Sequence, residues 1–399
     1  MIYILISIYL IFCISRYDIA GKTRNKNINF RIIQIALIAV AGFRWRVGAD
    51  QPAAMATFYG TPLLNELFSD SFYSDYLQLG GKPLYKLLLS LVKTMGGRFY
   101  VVQLVQAAFV NILFFRYFKK HSPYVFTCIF FYFWYMFTWL TMEEMKASFS
   151  IALCLFANDF VIEKKWVKAY SLYIIGFFFH PSTTLLFFTP CFLWLRLNKK
   201  GLLFLIICFI LGFFINYYIG NYLNMLEMLG DDAIARKVNA YGNSDEYMNQ
   251  GYTIMGNIVR IYMFIVYSLV CLFLIRHQKN VALLKLEPFL MLGIACYVMQ
   301  SSVQIFYRYT HFYSFYCIIF FSQVFIDLIK KSDKRVHFGL CFSRALLFFM
   351  PLIMSIFIMF YLRSVRYYPY SSIFDMKTYK EREILYIEAD RPSPNKNIY

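Results

Sequence analysis

Charge is scarce in this chain. Only 16% of its 399 residues are Asp, Glu, Lys or Arg, while 60% are hydrophobic and 21% aromatic. Soluble domains carry about a quarter charged residues, so this balance speaks against one. Paired metal-ligand spacings are also missing. Nine cysteines scatter mostly within apolar runs, as Cys128, Cys154 and Cys296 do, with no CxxC and no Cys/His cluster. That argues against a disulfide framework and a thiolate metal site. No dinucleotide or P-loop fingerprint and no internal repeat is present. Met1–Cys13 is apolar but has no basic stretch before it and no small-residue cleavage site after it. A cleavable signal peptide is therefore not expected, and the segment reads as a first span.

What the chain does have is apolar runs near bilayer-spanning length from end to end. They predict an all-α, polytopic transmembrane bundle, because helices satisfy their own backbone hydrogen bonds in lipid. The net charge is +18. In a soluble protein that would suggest nucleic acid. Here the basic residues concentrate in short loops, as in cytoplasmic flanks of membrane helices, and no nucleic-acid partner is expected.

Six loops hold clustered Lys and Arg: Arg16–Arg31, Arg116–Lys120, Lys164–Lys168, Arg196–Lys200, Arg276–Lys285 and Lys330–Arg335. Placing them in the cytoplasm gives roughly twelve spans, with both termini outside. These are 2–15, 29–43, 99–118, 122–140, 145–162, 166–179, 182–195, 201–220, 254–275, 286–303, 308–328 and 341–362. Pro83–Met95 is too short to count and reads as re-entrant or interfacial. The pair 166–179 and 182–195 reads as a tight hairpin that stops below the outer surface. A single transmembrane catalytic domain, 1–362, is expected, with outer loops 44–98 and 221–253. A mixed-charge tail, 363–399, follows it.

This topology gathers nearly every charged residue tight against a span on the outer face: Arg44, Arg46, Asp50, Glu143, Glu144, Lys146, His180, Arg260 and Arg308. Charge at that depth is costly and commonly retained for function. In "GFRWRVGADQP", guanidinium forks suit phosphate oxygens, Gly48 permits a sharp turn, and Asp50 can orient an arginine or act as a base. The bland alternative is that both arginines snorkel beside an interfacial Trp45. In "TMEEMKASFSIALCLFA", Glu143 and Glu144 suit a helix N-terminus, whereas Lys146 opposes its dipole. Lys146 can pair with Glu143 or reach a phosphate. In "GFFFHPSTT", His180 is either a turn residue or a proton-transfer or phosphate-binding group. In "SSVQIFYRYTHFYSFY", Tyr307 and its neighbours form an interfacial belt or stack on sugars, with Arg308 the stronger candidate. In "SVRYYPYSSIF", Tyr367, Tyr368 and Tyr370 carry the same two readings.

Together these elements resemble the Wzy/EpsG-type family of bacterial surface-polysaccharide polymerases. The carriers are Phe43, Arg44, Val47, Gly48 and Asp50 after the second span, then "KASFSIALCLFA". Phe179, His180 and Ser182 follow, and Tyr367, Pro369 and Tyr370 close the set. Where the family has Arg followed by Gln, this chain has Lys146 and Ala147. The resemblance implies a GT-C-like membrane glycosyltransferase making O-antigen or exopolysaccharide in the bacterial plasma membrane. It would move a growing glycan from undecaprenyl pyrophosphate to an incoming lipid-linked repeat unit in the outer leaflet. No cofactor and no tightly held metal are expected.

On that chemistry Arg44, Arg46 and Arg308 would stabilise the leaving pyrophosphate, with Lys146 in support. Asp50 is the first candidate base, His180 the second, and Glu143 or Glu144 the third. Arg260, Tyr307 and Tyr370 complete the expected substrate-binding set. A chain-length regulator is an expected partner. The rival readings are a flippase for the same lipid-linked unit, or an outward ligase-like or acyl transferase.

Overall fold

The structure is a computed structural model, and it describes residues 2–48, 50–67, 82–227, 281–300, 306–332 and 370–375. Every regular element among them is helical. In chain order they are α1 (Ile2–Ile19), α2 (Lys26–Gly42), α3 (Gln51–Gly60), α4 (Pro83–Thr94), α5 (Phe99–His121), α6 (Val125–Glu143), α7 (Met145–Ile162) and α8 (Trp166–Phe179). A 3-10 helix, Pro181–Phe192, leads to α9 (Lys199–Glu227), α10 (Glu287–Gln300) and α11 (Tyr307–Ser332). Among the described residues four helices, α1, α5, α6 and α7, are long and apolar enough to cross a membrane. The expected spans 254–275 and 341–362 lie outside the described residues, as do most of the loop 221–253 and of the tail 363–399.

Two compact units divide the chain. The first takes its described residues from Met1–Phe156, Ser171–Pro181 and Phe325–Tyr399. Its centre is α2 against α5. Ile33, Leu37, Val40 and Ala41 recur at helical spacing on the buried face of α2. At the end of that face, a Cβ on Gly42 would sit 2.7 Å from Leu104 Cδ1. Only glycine lets α2 approach α5 so closely. On α1, Ile6, Leu10, Cys13 and Tyr17 face inward, whereas Ile4, Leu5, Ile8, Ile11 and Phe12 are exposed. An apolar face turned outward on a spanning helix is suited to lipid.

Polar groups inside this unit are joined to one another. The Gln106 amide donates to Thr141 O at 3.1 Å and Ser148 Oγ at 2.7 Å. Tyr132 OH lies 2.6 Å from Thr141 Oγ1 and donates to Asn111 Oδ1 at 3.0 Å. Asp18, at the end of α1, accepts hydrogen bonds from Thr127 N and Oγ1, both 2.8 Å, and so satisfies the start of α6.

Two segments wind differently from the regular spans that periodicity suggests. The helix α6 is an α-helix to Tyr132 and a π-helix over Phe133–Glu143, and α1 ends in a π-helix over Ile14–Ile19. Long π segments are rare and tend to mark functional regions. The expected span 182–195 is largely the 3-10 helix Pro181–Phe192, with Pro181 as its first residue and Pro190 inside it. Proline lacks the N–H that a regular helix interior requires. The helix α4 has twelve residues, about 18 Å at helical rise, against a hydrocarbon core of about 30 Å.

The second unit takes its residues from Ala157–Tyr170 and Ser182–Val324. Within it α9 packs on α10, Phe289 stacks on Tyr316 at 4.9 Å, and the Asn158 amide donates to Tyr316 OH at 2.8 Å. Thr189 Oγ1 and Tyr313 OH are 2.9 Å apart.

Candidate functional site

The stretch after α2 is held by the far end of the chain. Trp45 N donates to Ser371 O at 2.8 Å and Ile373 N donates to Phe43 O at 2.9 Å. These bonds make an antiparallel bridge pairing Arg44 with Ser372. Tyr370 OH donates to Val40 O at 2.9 Å, closing the last turn of α2. The rings of Phe43 and Phe374 pack at 5.2 Å.

Within this bracket the two arginines part company. Arg44 has no exposed surface, and its Nη1 donates to Ala41 O. It does not snorkel. Arg46 is half-buried, adopts φ +49° and lies 5.9 Å from the Trp45 ring, as a residue at an interface would. The chain then turns at Gly48, with φ +106°. A Cβ there would stand 3.1 Å from Met142 O, so the loop rests on the π-helical end of α6. Glu143 closes that π segment, and Glu144 N donates to Trp139 O at 2.8 Å before α7 begins.

Asp50 precedes α3 and accepts the first helical bond at its backbone, from Ala54 N at 2.9 Å. Its side chain makes no cap and is exposed. Its charge acts on Lys146. Lys146 Nζ lies 5.4 Å from the centroid of the Tyr85 ring, a cation–π contact. Tyr85 in turn senses the Arg44 charge. Arg44 also acts on Tyr370. One connected set thus runs Tyr370, Arg44, Tyr85, Lys146, Asp50. Burial raises the pKa of both phenols and Arg44 opposes this. Tyr370 is pushed up to about 12, and Tyr85 is raised further. Both are neutral hydrogen-bond donors at physiological pH.

Under this set lies an apolar cluster formed by Ala54 and Phe58 of α3, Tyr85, Leu89 and Val92 of α4, Phe99 and Val102 of α5, and Met145 and Phe149 of α7. It joins α3, α4 and α7, which position Asp50, Tyr85 and Lys146, to α5. Phe179 stacks on Phe149 at 4.7 Å, which anchors His180 next to this cluster. His180 is half-buried and its N–H donates to Gly176 O at 2.9 Å.

Tyr307 and Arg308 belong to the second unit. Tyr307 meets the buried His311 edge-on, with ring centroids 4.4 Å apart. Arg260, Tyr367 and Pro369 lie outside the described residues. Among the described residues no three His, Cys, Asp or Glu side chains are grouped to hold a metal ion.

Sequence reasoning passed over Tyr85, Lys86 and Gln51, buried to 1%, 4% and 2% exposure. The signal for the first two was the periodicity of α4. Tyr85, Leu89 and Val92 share one face, so a short helix without acids was still amphipathic. Gln51 is followed on its own face by Ala54 and Phe58 in the same way.

A comparison with curated proteins found no match, and a comparison with solved structures found none. A family model, that of the EpsG family, matches residues 27–372. The match begins in α2 and ends at Ser372, the bridge partner of Arg44. It suggests a membrane protein of polysaccharide biosynthesis, in general terms a polymerase. Because the match spans most of the sequence, the chain belongs to the EpsG family.

Proposed function

We propose that this protein polymerises lipid-linked oligosaccharide repeat units. In this reading it transfers the growing glycan from undecaprenyl pyrophosphate to an incoming lipid-linked unit at the outer face of the bacterial plasma membrane. The chain then forms roughly twelve spans, with α4 lying at the interface or re-entering it. The catalytic body is 1–362.

The observation that carries this reading is a fully buried arginine on a stretch held by the bridge to Ser372, whose charge acts on two buried phenols, one of them under the Lys146 ammonium. Transfer breaks the bond between the anomeric carbon and a pyrophosphate oxygen, and the bonding pair leaves on the pyrophosphate. A fixed guanidinium stabilises that growing charge without reorganising, most strongly where water is excluded. Lys146 adds a second positive charge. The acceptor hydroxyl forms the new bond to the anomeric carbon, and Asp50 takes its proton. His180 is the alternative acceptor of that proton. Arg46, Glu143, Glu144 and Tyr370 line the approach. Arg260, Tyr307 and Arg308 are proposed contacts to the rest of the glycan.

The test is elongation by purified protein in vesicles, given lipid-linked repeat units and no nucleotide sugar. A ladder of longer lipid-linked glycans is expected. Single units that stay single, or that cross the vesicle membrane unchanged, would overturn the reading. In the native host, a chain-length regulator is the partner expected to shift the ladder.

A further inference from the structure

Two neutral polar side chains stand in this site with hydrogen-bonding capacity unused among the described residues. Gln51 is 2% exposed, and neither its amide nitrogen nor its carbonyl oxygen has a partner among the described residues. Tyr85 is 1% exposed, and its hydroxyl likewise has none. Leaving such groups dry and unpaired costs about 1–3 kcal/mol each, so natural cores rarely do it without a reason.

Their placement gives the reason. Gln51 opens α3 one turn before Ala54, and Tyr85 opens α4 one turn before Leu89. Ala54 and Leu89 belong to the same apolar cluster. The two polar groups therefore mark the end of that cluster from which the Arg44 stretch and Lys146 also depart. Gln51 directly follows Asp50, and Tyr85 lies under the Lys146 ammonium.

We propose that Gln51 and Tyr85 form a sugar subsite that binds the residue adjoining the pyrophosphate of the lipid-linked substrate. The chemistry favours a glycosyl phosphate over a bare phosphate. A phosphate only accepts hydrogen bonds, and Arg44 and Lys146 already provide positive donors. A sugar also donates, and the Gln51 carbonyl oxygen is the acceptor a ring hydroxyl needs. The Tyr85 phenol donates to a ring or hydroxyl oxygen.

This subsite rests on the polymerase reading, but its test needs no turnover. The full-length protein in nanodiscs is titrated with two probes, undecaprenyl pyrophosphate and undecaprenyl pyrophosphate bearing the repeat unit. Wild type binds the glycosylated probe more tightly. Tyr85→Phe keeps the ring for packing and for the Lys146 contact. Gln51→Leu keeps the side-chain volume. Each weakens binding of the glycosylated probe about tenfold and leaves the sugar-free probe unchanged. Equal affinity of wild type for the two probes overturns the subsite. So does a variant that weakens both probes alike or neither. If wild type prefers the glycosylated probe and both variants lose that preference, yet no ladder forms with substrate, the polymerase reading fails and the subsite stands.

Discussion

Arg44 and Ser372 face each other across an antiparallel bridge although nearly the whole chain lies between them. The bonds on either side, from Trp45 N to Ser371 O and from Ile373 N to Phe43 O, fix the backbone from which Arg44 turns inward. Positioning of the buried guanidinium therefore depends on a segment distant in sequence.

Arg44→Lys keeps a charge but loses the planar fork. Elongation is expected to fall by about 100-fold or more, as for loss of one preorganised transition-state donor. Protein level in the membrane should stay near wild type. A normal ladder from this variant, measured on extracted glycolipids, would remove Arg44 from the reaction.

Ile373→Pro deletes the N–H given to Phe43 O. It should loosen the Arg44 stretch and cut elongation severely, while Ser372→Ala, which touches neither bridging bond, leaves it unchanged. Limited proteolysis between α2 and α3 reads the loosening directly.

Gly48→Ala places a methyl group against Met142 O at a backbone angle that L-residues seldom adopt. The cost is expected to be about 1–3 kcal/mol, visible as a lower melting temperature in detergent. Gly60→Ala, where the added carbon meets nothing within 4 Å, is the matched control and should melt as wild type.

Tyr370 carries a pH signature. Its native pKa is raised to about 12 by burial, with Arg44 opposing, whereas an unfolded tyrosine titrates at about 10. The native state thus holds the proton more tightly. The associated stability is complete below about pH 10 and is lost as pH rises from about 10 to about 12. Alkaline melting curves of Tyr370→Phe should decline less steeply across that window. Identical curves would count against a buried phenol at this position.

Asp18→Ala leaves Thr127 N and Oγ1 without their acceptor. A destabilisation of about 1–3 kcal/mol is expected, and Asp18→Asn, which still accepts, should lose less. Thermal unfolding of the two variants in the same detergent checks the order.

The helical class was legible because apolar runs of spanning length leave few alternatives, and the turn at Gly48 was legible because glycine permits a backbone that other residues seldom adopt. The convergence of 370–375 on 43–45 was not visible as a contact, since no local pattern encodes a bridge between distant segments. Tyr370 was named only from its motif and its aromatic neighbours. Tyr85 escaped because a neutral phenol on a short amphipathic helix reads as packing. The resemblance already ranked Arg44 above Arg46, but their difference in burial needed the structure, because two arginines at i, i+2 differ only in which way the backbone turns them. The π winding of Phe133–Glu143 leaves the apolar composition of the span untouched, so hydropathy could not report it.

The bridge also sets an order of assembly. A membrane chain is threaded into the bilayer from its N-terminus, so Arg44 enters long before its bridge partner Ser372 is synthesised. Until then Trp45 N and Phe43 O have no strand to pair with, and the buried arginine has no fixed seat. A chain cut before residue 370 would keep the described helices and lose the bridge. In the proposed reading, the seat of Arg44 is complete only once residues 371–373 have docked on 43–45.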